Sequence, residues 1–229
     1  MTLDPVSRTE NTDPHCLAPG VAERLLAGHP WRRFVVLGDS VAEGLGDPVP
    51  GYTPLSWADR MAAELTVVRP DLAYLNLGRR ETTAAQIRAT QLAPALEFGP
   101  DLALVCCGGN DAISPFFKAD AVREDLTAIV SGLRGVGAEV LTLGYYDLHN
   151  CPAIRPMLRA GVSRRMRTLA GLTAQLAATR GAIHVDLTEH PSSAESNLYS
   201  ADGLHGNGRS HAIAAAVTIR LLGARLGNE

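Results

Sequence analysis

Five short apolar runs constrain this chain more than any other feature. They lie at residues 34–37, 72–77, 102–107, 140–143 and 183–187, and the first four close on Gly38, Gly78, Gly108 and Gly144. A strand covered on both faces reads as an unbroken apolar run, whereas a half-exposed strand alternates. The stretches between the runs have helical spacing instead. Leu55, Ala58, Met61, Ala62 and Leu65 mark one helix, and Val122, Leu126, Ile129, Val130 and Leu133 mark another. Leu158, Val162, Met166, Leu169, Leu172 and Leu176 mark a longer one. Further helices are predicted over 21–27, 82–96 and 210–226. Strands alternating with helices call for a parallel sheet with helices on both faces and right-handed crossovers. No internal repeat or linker divides the chain, so 18–229 is read as one domain. Residues 1–17 are polar, contain proline and lack periodicity, and are read as a poorly ordered tail.

Composition removes several function classes. The formal net charge of -3 gives no basic excess for a nucleic-acid partner. The four cysteines, Cys16, Cys106, Cys107 and Cys151, include no C-x-x-C pair, so no zinc site is expected. They read as buried free thiols in a reducing compartment. No basic segment leads into an apolar stretch at the N-terminus, and no apolar run approaches the roughly 20 residues that span a bilayer. A cytoplasmic protein without a membrane span is the expectation. Residues 38–46 are glycine-rich but lack the Gly-Lys-Ser/Thr of a phosphate-binding loop. Ala42 also breaks the Gly-x-Ser-x-Gly elbow of the α/β-hydrolase fold.

Four polar groups each follow a predicted strand: Gly38-Asp39-Ser40, Asn76-Leu77-Gly78, Gly108-Gly109-Asn110-Asp111 and Asp202-Gly203-Leu204-His205. In a parallel sheet the carboxyl ends of all strands share one rim, and open α/β sheets place their chemistry there. Acyl transfer needs a nucleophile, a base, a group orienting the base, and donors for the oxyanion. Ser40 is the candidate nucleophile and His205 the candidate base. Asp202, three residues earlier, can reach the imidazole across one turn. The N–H groups of Ser40 and Gly78 and the Asn110 amide are candidate oxyanion donors. Asp39 reads as a brace for the turn. His184, His190 and His211 lack an aspartate three residues earlier.

These four blocks, in this order, resemble the SGNH hydrolases, also called the GDSL esterase/lipase family. The resemblance covers most of the chain. It implies a three-layer α/β/α, flavodoxin-like fold around a five-stranded parallel sheet. It implies a serine esterase cleaving a small-molecule carboxylic ester, with a short acyl group, through an acyl-serine and without metal or cofactor. In this reading Ser40, Asp202 and His205 are catalytic, and Ser40, Gly78 and Asn110 form the oxyanion hole. Acyl transfer or thioester cleavage at the same site, and a non-catalytic binding module, are the alternatives. The family often carries a second glycine three residues after the first in its second block, where this chain has Glu81. Around the site, Arg79 is a candidate contact for an anionic substrate group and Phe116 for an acyl chain. Tyr145 and His149 lie on a loop expected to border the pocket, and the loop 44–54 is a candidate wall.

Overall fold

The computed structural model describes residues 8–228. Its sheet has five parallel strands in the order β2-β1-β3-β4-β5. These are β1 (Arg33–Gly38), β2 (Ala73–Asn76), β3 (Leu102–Cys106), β4 (Glu139–Gly144) and β5 (Ile183–Asp186). The expected α/β architecture is borne out. Central β3 is buried throughout, as is β1 after Arg33, and this explains their unbroken apolar sequences. Val35 stands opposite Ala103, and Leu104 opposite Leu141, so the runs align in register across the middle of the sheet.

Helices α1 (Val21–Leu25), α3 (Trp57–Val68) and α8 (Gly208–Leu226) pack together on one face. Helices α4 (Ala84–Phe98), α6 (Ala119–Gly135) and α7 (Pro156–Arg180) cover the other. Two short helices were not evident from periodicity, α2 (Ser40–Glu43) and α5 (Gly109–Ile113). Each is about one turn long, too short for a hydrophobic stripe to register. No helix among the described residues is long and apolar enough to cross a membrane.

The strand order reverses between β1 and β3, and ligands of open α/β sheets bind at such a switch point. Chain leaving β1 enters α2 at Ser40, and chain leaving β3 enters α5 at Gly109. The topology alone therefore sets Ser40 and Asn110 side by side.

The N-terminal segment corrects the reading of a disordered tail. Residues 1–7 lie outside the described residues, but Asp13 and Cys16 are buried. Asp13 accepts hydrogen bonds from Tyr52 Oη at 2.7 Å and Arg209 Nε at 2.5 Å. Glu10 pairs with the buried Arg60 at 2.5 Å. Polar side chains that meet charge partners in the core order a segment without any apolar period.

Candidate active site

The turn that presents Ser40 is held by its neighbours. Gly38 has φ 153°, and a Cβ there would collide with the Cys106 carbonyl and Ala42. Only glycine fits between these chains. The chain running on from β2 still reaches Gly38, whose carbonyl accepts from Arg79 N at 3.0 Å, and a buried side chain from α4 adds to this hold. Gln91 Oε1 accepts from Gly38 N at 2.8 Å, and its Nε2 donates to Gly38 O at 2.9 Å. Asp39 then caps α2, accepting from Val41 N at 3.0 Å. Tyr145 Oη donates to the second Asp39 oxygen at 2.8 Å.

Ser40 Oγ lies 2.9 Å from His205 Nε2, and His205 Nδ1 lies 2.6 Å from Asp202 Oδ2. The other Asp202 oxygen accepts from the N–H groups of Leu204 and His205, at 2.9 and 3.0 Å. Burial pushes the Asp202 carboxyl up, but these bonds from His205 and the two N–H groups outweigh it and hold it below its ordinary value. An ionised Asp202 accepts a hydrogen bond from the Nδ1–H, which leaves Nε2 unprotonated and free to accept from the Ser40 hydroxyl. The histidine loop is clamped from both sides. Asp47, in the loop after α2, accepts from Ala201 N at 2.7 Å, and its own N–H donates to Ser200 Oγ at 2.9 Å. From the loop after β4, Ala153 N and Cys151 Sγ both donate to Gly203 O at 3.1 Å.

Asn110 sits in α5, and its Nδ2 donates one hydrogen to Thr82 O at 2.9 Å. That contact fixes the amide plane and leaves the second Nδ2 hydrogen available. The Gly78 N–H donates to Asn76 Oδ1 at 2.8 Å. A Cβ on Gly78 would strike Ala42 and the Glu43 backbone, so the glycine is required for close approach to α2. Glu81 has φ 63°, the only positive φ among described non-glycine residues. A left-handed conformation costs a side-chain-bearing residue about 1–2 kcal/mol. The Glu81 N–H has no acceptor among the described residues.

Residues 36–213 match the model of one family, described as the GDSL-like lipase/acylhydrolase family. The chain belongs to this family. It is accordingly an ester-hydrolysing serine hydrolase. No curated protein sequence matches it. Among solved structures, it is similar to an alpha/beta hydrolase enzyme, LAE5, from the metagenome of Lake Arreo, Spain. The two are 18% identical over 87% of this chain and 98% of that one, with a TM-score of 0.68. A lipase/acylhydrolase from Enterococcus faecalis is 20% identical over 85% of this chain and 96% of its own, at a TM-score of 0.64. A catalytic mutant of an acetylxylan esterase from Geobacillus stearothermophilus is 18% identical over 86% and 94%, at 0.66. At these identities the likeness is one of fold.

A cavity of about 110 Å³ opens from Ser40, Asn110 and His205. Tyr145 and Leu45 of the 44–54 loop line it, whereas Arg79, Phe116 and His149 do not. Phe116 is 83% exposed, and His149 faces a separate surface hollow beside α7. Arg80 is held by Glu43 at 2.6 Å. The other histidines are occupied elsewhere: His184 with Thr142, His190 with Ser192, and His211 between Trp57 N and Leu45 O. Gln91, Asp47 and the Tyr145–Asp39 bond were not legible in sequence, because each acts through a partner distant in the chain.

Asp39 carries a pH signature. Burial pushes its carboxyl up to about 6, against the lowering effect of the Val41 N–H and Tyr145 hydroxyl bonds. The folded state therefore holds a proton that the unfolded chain has already lost between the ordinary value of 3.8 and about 6. Stability falls as pH rises through that window, and the full cost applies above it. The cost is on the order of 3 kcal/mol. Asp39→Asn keeps the cap acceptor and removes the charge. Denaturation at pH 4 and pH 7 should show the variant more stable than wild type at pH 7 and converging with it at pH 4. Parallel pH profiles would contradict this.

Proposed function

We propose that this enzyme hydrolyses a carboxylic ester with a short acyl group through an acyl-serine on Ser40. His205 Nε2 takes the Ser40 proton as Oγ attacks the ester carbonyl. Asp202 fixes the imidazole tautomer and stabilises the imidazolium that forms. The Ser40 N–H and the free Asn110 Nδ2 hydrogen stabilise the developing oxyanion. The Gly78 N–H joins them by leaving Asn76 Oδ1. The tetrahedral intermediate collapses, the C–O bond breaks, and His205 returns the proton to the departing alcohol. Water then enters, gives a proton to His205 and attacks the acyl carbon; the bond from that carbon to Oγ breaks, His205 passes the proton to Ser40 Oγ, and the acid leaves.

The observation that carries this reading is the unbroken hydrogen-bond line from Asp202 through His205 to Ser40 Oγ, at 2.6 and 2.9 Å. The test is turnover of short-chain chromogenic esters together with labelling by an organophosphonate. A single adduct on Ser40 by peptide mass, with parallel loss of turnover, is expected. An adduct elsewhere, or turnover that survives labelling of Ser40, overturns the reading.

A further inference from the structure

We infer that the cavity behind Ser40 is a dead-end acyl pocket, selective for chains of about four carbons, with its far wall formed by Leu198 and Ala214. This rests on the esterase reading above. Leu143 at the end of β4, Trp57 of α3, Ala214 of α8, and Leu198 and Tyr146 from the flanking loops line the cavity.

The wall is mainly apolar side chain, and several of its polar atoms are spent on protein partners, although the hydroxyls of Ser193, Tyr199 and Ser210 make no hydrogen bond among the described residues. Trp57 Nε1 donates to Thr218 Oγ1 at 3.1 Å, and Tyr145 Oη donates to Asp39. Both His211 nitrogens are engaged, with Trp57 N and Leu45 O. Tyr146 contributes its ring, while its hydroxyl is sealed from solvent beside Ser192 and Ser210 without hydrogen-bond geometry. What such a wall offers an occupant is dispersion and dry apolar surface, so the occupant is hydrocarbon.

The order of events decides which side of the ester enters. The alcohol must leave while the acyl group is still bound to Ser40, and water must then reach the same carbonyl. An acyl chain seated in a closed end leaves the mouth free for both. An alcohol trapped there would have to pass the acyl-serine to escape. Size then sets the length. An apolar cavity of about 150 Å³ takes benzene. By proportion, about 110 Å³ holds roughly four carbons. This apolar slot accounts for a short-acyl preference that Phe116, out in solvent, does not supply.

The test is kcat/KM on esters of one alcohol with acyl chains from acetyl to octanoyl, repeated with one acyl group on alcohols of increasing length. Each methylene entering the pocket should raise kcat/KM roughly fourfold. The rise should stop near butanoyl or pentanoyl and reverse beyond it. Leu198→Ala should move the optimum to longer acyl chains. Ala214→Leu, which adds bulk to the lining, should lower kcat/KM for butanoyl more than for acetyl and so abolish the butanoyl-over-acetyl preference. Alcohol length should have little effect on any of these proteins. Acetyl turnover without acyl-length preference, a preference unmoved by both variants, or one that follows the alcohol overturns the pocket assignment alone. Absence of all ester turnover in the wild type overturns the esterase reading and this one together.

Discussion

Ser40→Ala is expected to lower kcat for ester hydrolysis by about 10⁶-fold, leaving only what binding and the oxyanion donors provide. His205→Ala should cost about as much. The double variant should be no worse than either single one, because nucleophile and base act as one unit. Asp202→Asn should cost less. Losing a triad aspartate costs about 10⁴-fold where that group is buried. The Asp202 side chain is half-exposed, so water can take over part of its work, and a loss nearer about 10²–10³-fold is expected. The three variants measured on one chromogenic ester give a ranking that a structural role would not produce. A Ser40→Ala rate within tenfold of wild type would sink the nucleophile assignment. Multiplicative losses in the double variant would mean that Ser40 and His205 do not act on one proton.

The legible part of this molecule was the part where a few adjacent residues carry the whole signal. The runs at 34–37 and 102–107 announce buried strands because both faces of the sheet are covered. Asp202 and His205 are nameable as a pair because three residues span one turn. Their meeting with Ser40, 165 positions away, needed only the rule that parallel strands share a carboxyl rim. What escaped notice depends on pairs that no local pattern links. Gln91 binds both the N–H and the carbonyl of Gly38, yet in sequence it is one polar residue on a helix. The Gly78 N–H turns to Asn76 because of a local two-residue bond, which a motif comparison does not weigh. Glu81 takes a conformation usually left to glycine. The packed N-terminal segment escaped for the same reason, since its order depends on Arg209, near the other end of the chain.

Arg209→Ala should destabilise the fold by about 3–5 kcal/mol, the usual result of leaving a buried charge without its partner. Its side chain is 3% exposed, and that of Asp13 is fully buried. Arg209 spends its fork on Asp13, on Glu195 at 2.8 Å and on Asn197 at 2.9 Å. Arg209→Lys should recover little, because one ammonium cannot serve three acceptors set around a planar group. Replacing both partners by apolar residues, Asp13→Leu with Arg209→Met, should recover most of the loss, since neither charge then pays for desolvation. Activity should fall with stability. Arg209 opens α8, and Asn207, which caps that helix, also holds the carbonyls of Asn197 and Tyr199 in the loop leading to His205. The pair also has a pH signature. Burial pushes the Asp13 carboxyl up, but Arg209, the His15 N–H and Tyr52 together hold it below its ordinary value of 3.8. Its contribution is therefore present above that value and lost as pH falls through the lower folded one. Urea midpoints for wild type and the apolar double variant should separate at neutral pH less than those for wild type and Arg209→Ala. Below pH 4 wild type should lose ground to the double variant. Equal stability of Arg209→Ala and wild type at neutral pH would show that the N-terminal segment rests on the fold without supporting it.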